Sequence, residues 1–431
     1  MENGFISFGL FNPLLMTIKS SNAWMYLVLP INITLGSIGT LVTFRIISLG
    51  GSELDVSHVI TLGNLVLIPS SLFWGFISDR YDRKYIILSS FGFSSLFTII
   101  LSVSQNLPLI ALFYTLVSFF SVGYNTPYNL LIMETTPKVR WAEQFSRLSM
   151  MSAIGVLLST LVSTFATLFT SVSSIILILG LIGILTTIIG VWLIPNSIIN
   201  IERVAIVHIK DSFLTRLKML PIFFPHRPNL RFIKIFKLRN LIIKPINFTP
   251  LLYIAIFLFY ISSGLFNTMY PVALYSKNLE KSEIFGILSL GIGIQILTYT
   301  ISGKVVNKIK EGHACYISLI VRGISYSSIS FAIYTLDTYG IFITSLILYP
   351  IAAGIAFAIF NTSSNTLIFK IVGERSHGKG LGEYSTLVGI GMFTGSLLSG
   401  YISSSLGFQT DFLIAGLLLF ISAYIFNYIE K

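Results

Sequence analysis

The sequence predicts an all-α integral membrane protein with twelve transmembrane helices, arranged as two pseudo-symmetric six-helix bundles. Three observations lead to this prediction. Of the 431 residues, 54% are hydrophobic and only 10% are charged, whereas a soluble domain usually carries about 25% charged residues. Apolar segments of membrane-spanning length recur along the whole chain. A polar pattern, Asn-Thr-x-x-Asn-x-Leu-Ile, occurs twice, within 124–132 and 360–368, which indicates a duplicated unit.

Twelve apolar segments are long enough to cross a bilayer, which requires about 20 residues. They lie near 24–48, 56–78, 85–104, 107–133, 144–168, 171–195, 250–275, 283–303, 313–335, 339–368, 384–405 and 409–429. Because these segments fill most of the chain, no large water-soluble domain remains. Any function must therefore be built inside the helices, and an ATP-driven pump is not expected.

The Lys and Arg residues predict the orientation of the spans. With the N-terminus inside the cell, 24 of the 28 basic residues fall in cytoplasmic loops and tails, as the positive-inside rule requires. The outer side keeps Arg45, Lys277 and Lys281, and Arg322 falls within a span. We therefore expect a multi-pass protein of the cell membrane with both termini in the cytoplasm. This topology explains the net charge of +11, and no nucleic-acid partner is expected.

A basic segment divides the twelve spans into six plus six. Residues 196–250 contain ten Lys or Arg and two acidic residues, so they supply +8 of the net charge of +11. We predict an N-terminal six-helix bundle at 1–195, a basic cytoplasmic linker at 196–249 and a C-terminal six-helix bundle at 250–431. Within the linker, 229–244 is typical of a basic amphipathic helix lying on the anionic inner leaflet of the bilayer. It is either a surface-bound connection or a lipid sensor.

Further matches between the two halves support the duplication. Residues 155–159 read Gly-Val-Leu-Leu-Ser and residues 395–399 read Gly-Ser-Leu-Leu-Ser, an offset of 240 residues. Glu134 matches Glu374 at the same offset. Several matches in the same order indicate a duplicated six-helix unit.

The turn between spans two and three carries the most specific motif. Residues 75–84 read Gly-Phe-Ile-Ser-Asp-Arg-Tyr-Asp-Arg-Lys. This resembles the loop signature of the major facilitator superfamily, and the resemblance implies the fold of that family and transport by alternating access. The residues implied to form a conformational-switch loop are Gly75, Asp79, Arg80, Arg83 and Lys84. We expect Gly75 to let two helices approach closely. Asp82 stands where the family usually has glycine, and Asp tolerates unusual turn conformations.

Other positions depart from the family pattern. The Arg that proton-driven members often have in the outer part of span four is absent around Tyr114. Gly155 in span five lacks the following Pro that is typical of antiporters. The second-half counterpart of the loop keeps Gly303 but has Asn307 in place of Asp79. The first two departures speak against a proton-driven exporter.

In the family that the loop resembles, spans one, four, seven and ten line a central cavity. In this chain those spans are rich in neutral hydrogen-bonding side chains and phenol rings, which suit an uncharged polar or amphipathic solute. The predicted substrate-binding residues are Asn32, Tyr124, Asn125, Tyr260, Asn267 and Asn361. The alternative is that such side chains bond back to their own helix or join neighbouring helices.

The repeated Asn pairs lie towards the inner ends of spans four and ten. Asn125 and Asn129 are predicted about 12 and 6 Å from the end of span four, at 1.5 Å per residue, and Asn361 and Asn365 occupy the matching level. Residues four apart share a helical face. We expect Asn129 and Asn365 to form a symmetric inner gate that closes by neutral hydrogen bonds.

Ionisable side chains are scarce at depth. Glu134 is predicted beside a cytoplasmic loop, and Asp337 and Asp411 beside outer loops, so no carboxylate offers a clear proton relay inside the membrane. Arg322 in span nine and Arg45 near the outer end of span one have two possible roles. They are structural, by snorkelling or by pairing with a helix end, or they bind anions if they face the cavity.

These observations favour a secondary active or facilitative transporter of a small organic solute that is uncharged and polar or amphipathic. We expect a monomer without a cofactor or a bound metal. Enzymatic activity is not expected, because the five histidines show no paired metal-ligand spacing. A proton-coupled exporter of organic anions or hydrophobic compounds, and a non-transporting membrane sensor of the same fold, are the alternatives.

Overall fold

The computed structural model describes residues 22–78, 81–137, 141–196, 249–372 and 377–430. Within these ranges the regular structure is entirely helical, and twelve helices are long and apolar enough to cross a membrane. The predicted all-α membrane fold with twelve spans is therefore confirmed. Apart from its two ends, the predicted linker at 196–249, with its amphipathic helix, lies outside the described residues.

The twelve spans have bounds close to those predicted, and we number them in chain order. The spans of the first half are Ala23–Ser48, Glu53–Ser78, Arg83–Val103, Leu107–Ile132, Arg147–Ala166 and Val172–Leu193. The spans of the second half are Leu251–Ser276, Lys281–Ile309, Glu311–Thr335, Thr338–Leu367, Leu387–Leu406 and Phe408–Tyr428. Span eight is longer than predicted, because its helix continues past the apolar segment through the exposed Lys304 and Lys308.

Successive spans run in opposite directions, so the turns gather at two ends of the bundle. At one end, span one begins, span twelve ends, and spans six and seven meet the linker; we call this the linker end. The turns after spans one, three, five, seven, nine and eleven form the far end. The distribution of basic residues predicts that the linker end is cytoplasmic.

Three of the four spans predicted to line the cavity are not continuous α-helices. Span one is interrupted after Leu35, span four is interrupted after Ser121, and span ten contains the π-helical segment Pro350–Ala356. Their α-helical pieces are Val28–Leu35 and Ile38–Ser48, Leu107–Ser121 and Asn125–Thr135, and Thr338–Tyr349 and Phe357–Val372. Proline has no backbone N–H to donate, which favours the irregular segment in span ten, and π-helical insertions are frequent at functional sites.

The break in span four is held by side chains from its neighbours. Ser70 and Trp74 of span two donate hydrogen bonds to the Phe119 carbonyl at 2.5 and 3.0 Å. Ser90 of span three donates to the carbonyl of the next residue at 2.6 Å. At Gly123, within the break, a Cβ would lie 2.8 Å from the Trp74 ring. Since buried carbonyls require partners, spans two and three fix the position of this break.

The two halves repeat the same close helix crossing. In the first half Gly155 of span five packs on span one, where a Cβ would lie 2.5 Å from the Leu29 carbonyl oxygen. In the second half Gly395 of span eleven packs on span seven, where a Cβ would overlap the Ile261 carbonyl oxygen. The sequence match at an offset of 240 residues thus reflects a shared packing requirement, because only small residues let two membrane helices approach this closely.

The two bundles contact each other towards the far end. Three side chains of span two donate hydrogen bonds to Ser396 of span eleven. Ser57 reaches its carbonyl at 2.6 Å, and Thr61 and Asn64 reach its hydroxyl at 3.1 and 3.2 Å. These groups are neutral, so the hydrogen bonds to Ser396 involve no charged side chain.

A second contact joins spans one and five to span eight. The hydroxyl of Thr164 in span five lies 3.4 Å from that of Ser289 in span eight. The rings of Phe44 in span one and Phe285 in span eight have centroids 5.5 Å apart. These residues also lie in the far-end parts of their spans, so both sides of the interface between the bundles are joined there.

Candidate functional site

Asn32 and Tyr124, both predicted to bind substrate, are brought together in the first half. They are 7% and 8% exposed. The Asn32 amide nitrogen donates to the Tyr124 hydroxyl oxygen at 3.1 Å and to the Val28 carbonyl at 2.8 Å. The Tyr124 ring packs against Phe91 with centroids 5.3 Å apart. The two side chains form a neutral pair where span one meets the break in span four.

A second neutral set lies in the other half, between spans eight and ten. The Asn361 amide nitrogen donates to the Tyr299 hydroxyl at 3.0 Å. The Asn365 amide nitrogen donates to the backbone and side-chain oxygens of Asn361 at 2.8 and 3.2 Å. Gln295, one turn before Tyr299, donates to the same hydroxyl at 3.4 Å. This set therefore contains three amides and one phenol.

Tyr299 and Gln295 are absent from the predicted site, because span eight is not one of the four spans that the family resemblance assigns to the cavity. A signal was available in the sequence. The two polar side chains are four residues apart in a largely apolar segment, which places both on one helical face.

The other predicted binding residues have different surroundings. Asn125, Asn129 and Asn267 are exposed, and within the part of the chain that the structure describes their side chains make no hydrogen bond. Tyr260 is 9% exposed, and its ring lies edge-on to Phe259 with centroids 4.9 Å apart. The three amides therefore keep their hydrogen-bonding capacity for solvent or for a solute.

The predicted inner gate is not closed in this conformation. Asn365 bonds to Asn361 within its own helix, and Asn125 and Asn129 are exposed. No hydrogen bond joins the two Asn pairs among the residues described. The gate stays a prediction, for a conformation in which the linker ends of spans four and ten meet.

The turn between spans two and three is attached to span four by an ion pair. Arg83 at the start of span three pairs with Glu134 near the end of span four, and their side chains are 13% and 5% exposed. Asp82 caps span three by accepting a hydrogen bond from the Lys84 backbone N–H at 3.0 Å. The φ angle of Asp82 is −62°, so its backbone is in an ordinary extended conformation that most residues can adopt. Its carboxylate acts as a helix cap.

Gly75 does not make the close helix approach that we expected of it. No described heavy atom lies within 4 Å of the position that its Cβ would take, and the same holds for Gly303, its counterpart in the second half. In this conformation the helices near these glycines are too far apart for such a contact. Asp79 and Arg80, the other predicted switch residues of this turn, lie outside the described residues.

Three ionisable residues towards the far end have distinct environments. Arg45 donates to the Ser104 carbonyl at 3.0 Å and thereby stabilises the C-terminus of span three, one of the two roles considered for it. Asp337 caps the helix of span ten by accepting from the Gly340 N–H at 3.0 Å. Asp411 is fully buried, although it was expected only to flank a loop, and neither carboxylate oxygen has a hydrogen-bond partner among the described residues.

Arg322 neither snorkels nor pairs with a helix end, which were the two forms of the structural role considered for it. It is 2% exposed. Its guanidinium carbon lies 4.8, 5.2 and 5.3 Å from the ring centroids of Phe259, Tyr326 and Phe357. These rings belong to spans seven, nine and ten, and we call them the aromatic cage. Arg322 therefore contacts aromatic rings of two of the predicted cavity-lining spans, seven and ten. Cation–π attraction to these rings offsets part of the free energy lost when its charge leaves water.

The amino-acid sequence matches one family along nearly its whole length. Residues 4–362 and 252–429 both match the model of the Major Facilitator Superfamily. An uncharacterised MFS-type transporter of Methanocaldococcus jannaschii is 27% identical over 364 residues, which cover 83% of this chain and 81% of the relative. A second uncharacterised MFS-type transporter of that organism is 22% identical over 365 residues, which cover 84% of this chain and 85% of the relative.

Solved structures of transporters share the fold. The nucleoside transporter NupG has a TM-score of 0.70 and 14% identity, covering 97% of this chain and 99% of that one. A D-xylose–proton symporter has a TM-score of 0.67 and 13% identity, covering 97% of each chain. A bacterial homologue of the human lysosomal transporter Spinster, in an inward-facing and unoccupied conformation, has a TM-score of 0.69 and 15% identity. The match covers 98% of each chain. With the family match across the chain, the twelve spans and the loop motif, the protein belongs to the major facilitator superfamily of membrane transporters.

Proposed function

We propose that the protein is a secondary transporter that moves a small organic solute, uncharged and polar or amphipathic, by alternating access. The observation that carries this proposal is the presence of one neutral hydrogen-bonding set in each half, Asn32–Tyr124 and Asn361–Tyr299. Among the described residues no charged side chain bonds to either set. Amide and phenol groups can bind a polar solute without an opposite charge.

The contacts between the bundles support a cycle of alternating access. Span two and span eleven are joined through Ser396 towards the far end, while Asn125 and Asn129, in the linker-end part of span four, are exposed. We infer that this conformation is open towards the linker end. Since the basic residues favour a cytoplasmic linker end, we take it as the inward-facing state, with both termini in the cytoplasm.

In the opposite state we propose that Asn129 and Asn365 meet and close the linker end. The Arg83–Glu134 ion pair supports the role of the turn at 75–84 as a conformational switch. Because it joins the start of span three to the end of span four, a movement of this turn is transmitted to the helix that carries Asn129.

Two solved structures with the same fold belong to transporters of neutral solutes. They are named as a nucleoside transporter and a D-xylose–proton symporter, and nucleosides and xylose are uncharged, hydroxyl-rich solutes. At identities of 14% and 13% these structures show the fold alone, so the proposed solute class rests on the side chains of this chain.

We further propose a monomer in the cell membrane, in which residues 1–195 and 250–431 move as two bundles joined by 196–249.

Solute uptake into proteoliposomes tests the proposal. A panel of labelled nucleosides, sugars and small amides is compared with a panel of organic anions, with and without an imposed pH gradient. Tyr124→Phe removes the hydroxyl that bonds Asn32 but keeps the ring, and we expect the KM of the transported solute to rise about tenfold, equivalent to about 1.4 kcal/mol. Tyr334→Phe on span nine, where the side chain is 73% exposed, is the matched control and should have no effect.

The outcomes separate the alternatives. Saturable uptake of organic anions alone contradicts the proposed solute class, and stimulation by the pH gradient supports the proton-coupled alternative. Equal KM values for wild type and Tyr124→Phe contradict the assignment of this residue to the site. Absence of saturable uptake across both panels counts against transport and favours a non-transporting sensor.

A further inference from the structure

The neutral set between spans eight and ten is a hydrogen-bonded chain with a defined direction. It begins at the backbone carbonyl of Asn361, which can only accept a hydrogen bond. The side-chain nitrogen of Asn365 lies 2.8 Å from this oxygen and donates to it. Because an amide nitrogen carries two hydrogens, it also donates to the Asn361 side-chain oxygen at 3.2 Å. The backbone carbonyl thus fixes the orientation of both amides.

The direction of this chain continues to Tyr299. Since the Asn361 side-chain oxygen is held by Asn365, the Asn361 side-chain nitrogen faces the Tyr299 hydroxyl and donates to its oxygen at 3.0 Å. Gln295 donates to the same oxygen at 3.4 Å. The phenol oxygen therefore accepts two hydrogen bonds, and no described residue accepts its own hydrogen. Tyr299 is left as an oriented hydrogen-bond donor.

A hydrogen-bond acceptor lies beside this donor. The Gln295 side-chain nitrogen faces Tyr299, so the oxygen of the same planar amide lies close to the phenol. This oxygen has no hydrogen-bond partner in the part of the chain that the structure describes. Both side chains are half-buried. A donor beside an acceptor is complementary to a –CO–NH– group, whose carbonyl oxygen accepts and whose N–H donates.

Tyr299 faces the space between the two bundles. Leu297 and Ile301 of span eight are 68% and 54% exposed, which is typical of a lipid-facing side. Tyr299 is two residues from each of them, so it points about 200° away around the helix, at about 100° per residue. Phe285 precedes Tyr299 by close to four helical turns and shares its face. Because Phe285 packs on Phe44 of the other bundle with centroids 5.5 Å apart, this face is directed towards the first half.

We propose that Tyr299 and Gln295 select the solute, and that the solute is an uncharged molecule with a –CO–NH– group, such as a carboxamide or a lactam. Its carbonyl oxygen accepts from the Tyr299 hydroxyl, and its N–H donates to the Gln295 side-chain oxygen. A single hydroxyl group must make both contacts through one oxygen atom and bends both hydrogen bonds, which weakens them. Asn365 is a positioning residue, because it acts through Asn361. This proposal rests on the proposed transport of an uncharged solute and names its chemical class.

Stabilisation of the purified full-length protein by added ligand tests the recognition, because a ligand that binds the folded state raises its apparent stability. Two matched pairs of probes, all uncharged at neutral pH, are compared. In 3-pyridylmethanol a hydroxymethyl group replaces the carboxamide of nicotinamide, and N-methyl-δ-valerolactam lacks the N–H of δ-valerolactam. We expect each –CO–NH– compound to bind about tenfold more tightly than its partner, the effect of one net hydrogen bond. Equal dissociation constants within either pair, or no binding of any probe, would overturn the proposal.

Matched variants test the direction of the chain. Tyr299→Phe removes the oriented donor and should abolish the preference within the nicotinamide pair, and Gln295→Leu should abolish it within the lactam pair. In Asn365→Leu the Asn361 amide is free to turn its oxygen to Tyr299 and accept its hydrogen, so we expect the nicotinamide preference to be lost again. Tyr334→Phe on span nine, where the side chain is 73% exposed, should keep both preferences. A purely structural role of Asn365 would weaken the binding of all probes equally, so an unchanged ratio in Asn365→Leu would contradict the directed chain.

Uptake assays distinguish a failure of this proposal from a failure of the transport function. If uptake is saturable, we expect solutes with a –CO–NH– group to be transported and their KM to rise about tenfold in Tyr299→Phe. Saturable uptake of only solutes without this group, with the same KM in Tyr299→Phe, refutes the solute class and leaves transport in place. Preferential binding of nicotinamide by a protein that transports nothing refutes the transport function, while the binding site stands.

Discussion

Arg322 carries a buried charge, and a double-mutant cycle with Tyr326 tests how the fold accommodates it. The Nε and Nη2 atoms of Arg322 donate to the Tyr326 hydroxyl at 2.9 and 2.6 Å, and Nη1 has no hydrogen-bond partner among the described residues. No acidic side chain in the described ranges forms an ion pair with it. The phenol oxygen of Tyr326 is therefore the main hydrogen-bond acceptor for this guanidinium.

The contacts of Arg322 and Tyr326 set the expected change in the free energy of unfolding for each variant. Tyr326→Phe keeps the ring, which stacks on Phe266 with centroids 3.7 Å apart, but it leaves two charged donors unpaired. We expect a loss of about 3 kcal/mol in the free energy of unfolding. Arg322→Met removes the charge and keeps most of the volume, and it should change stability by less than about 1 kcal/mol. In the double variant neither the guanidinium nor the hydroxyl remains, so no charged donor is left unpaired. Its stability should match that of Arg322→Met and give a coupling energy of about 3 kcal/mol.

The assay is reversible unfolding in mixed micelles with increasing sodium dodecyl sulfate, followed by far-ultraviolet circular dichroism. Arg322→Lys is a useful third variant, because it keeps the charge but lacks the planar guanidinium that donates twice to one oxygen, and its stability should lie below that of Arg322→Met. The reasoning is refuted if Tyr326→Phe is as stable as wild type, or if Arg322→Met is the least stable variant of the set.

Three other sites have defined expectations. Gly395→Ala places a Cβ on a neighbouring carbonyl oxygen and should destabilise the protein by about 1–3 kcal/mol, whereas Gly303→Ala, which enters open space, should leave the unfolding midpoint unchanged. Asp411→Asn removes a buried carboxylate whose oxygens have no partner among the described residues, so the thermal midpoint should stay equal or rise; a fall by several degrees would contradict this. Arg83→Ala and Glu134→Ala should each destabilise the protein by about 3 kcal/mol, since each leaves one charge of a buried pair without its partner. Exchanging the two residues should restore part of this loss in the same unfolding assay. Equal stability of the exchanged variant and the single variants would argue against the pair.

The spans could be predicted from the sequence because a bilayer leaves few options for a backbone. Every peptide group in the hydrocarbon layer needs a partner, so an apolar segment of sufficient length becomes a helix. Span four was predicted at 107–133 and spans Leu107–Ile132. Its break was not foreseen, because it depends on Ser70 and Trp74, which donate from another helix.

The candidate site was less predictable, because it depends on pairs of residues from different helices. Asn32 and Tyr124 were both selected as polar groups in apolar spans, but they are 92 residues apart, and their hydrogen bond follows from packing. Tyr299 was missed because the choice of spans followed a family resemblance. The aromatic cage around Arg322 and the burial of Asp411 arise from the packing of helices inside the second half. This packing cannot be predicted from the spacing of charged residues along the sequence.

The hydrogen bonds to Ser396 bear on how strongly a solute must bind to drive the proposed cycle. Ser57, Thr61 and Asn64 each donate one neutral hydrogen bond to this residue, and at about 1 kcal/mol each they contribute about 3 kcal/mol. A solute with a dissociation constant of about 1 mM binds with about 4 kcal/mol. Only the difference between the affinities of a solute for the two states shifts their equilibrium. A solute that binds the outward-open state with this affinity, and the present state negligibly, would supply a free energy comparable to that of the three bonds. In the proposed cycle, the hydrogen bonds to Ser396 therefore do not require a solute that binds tightly.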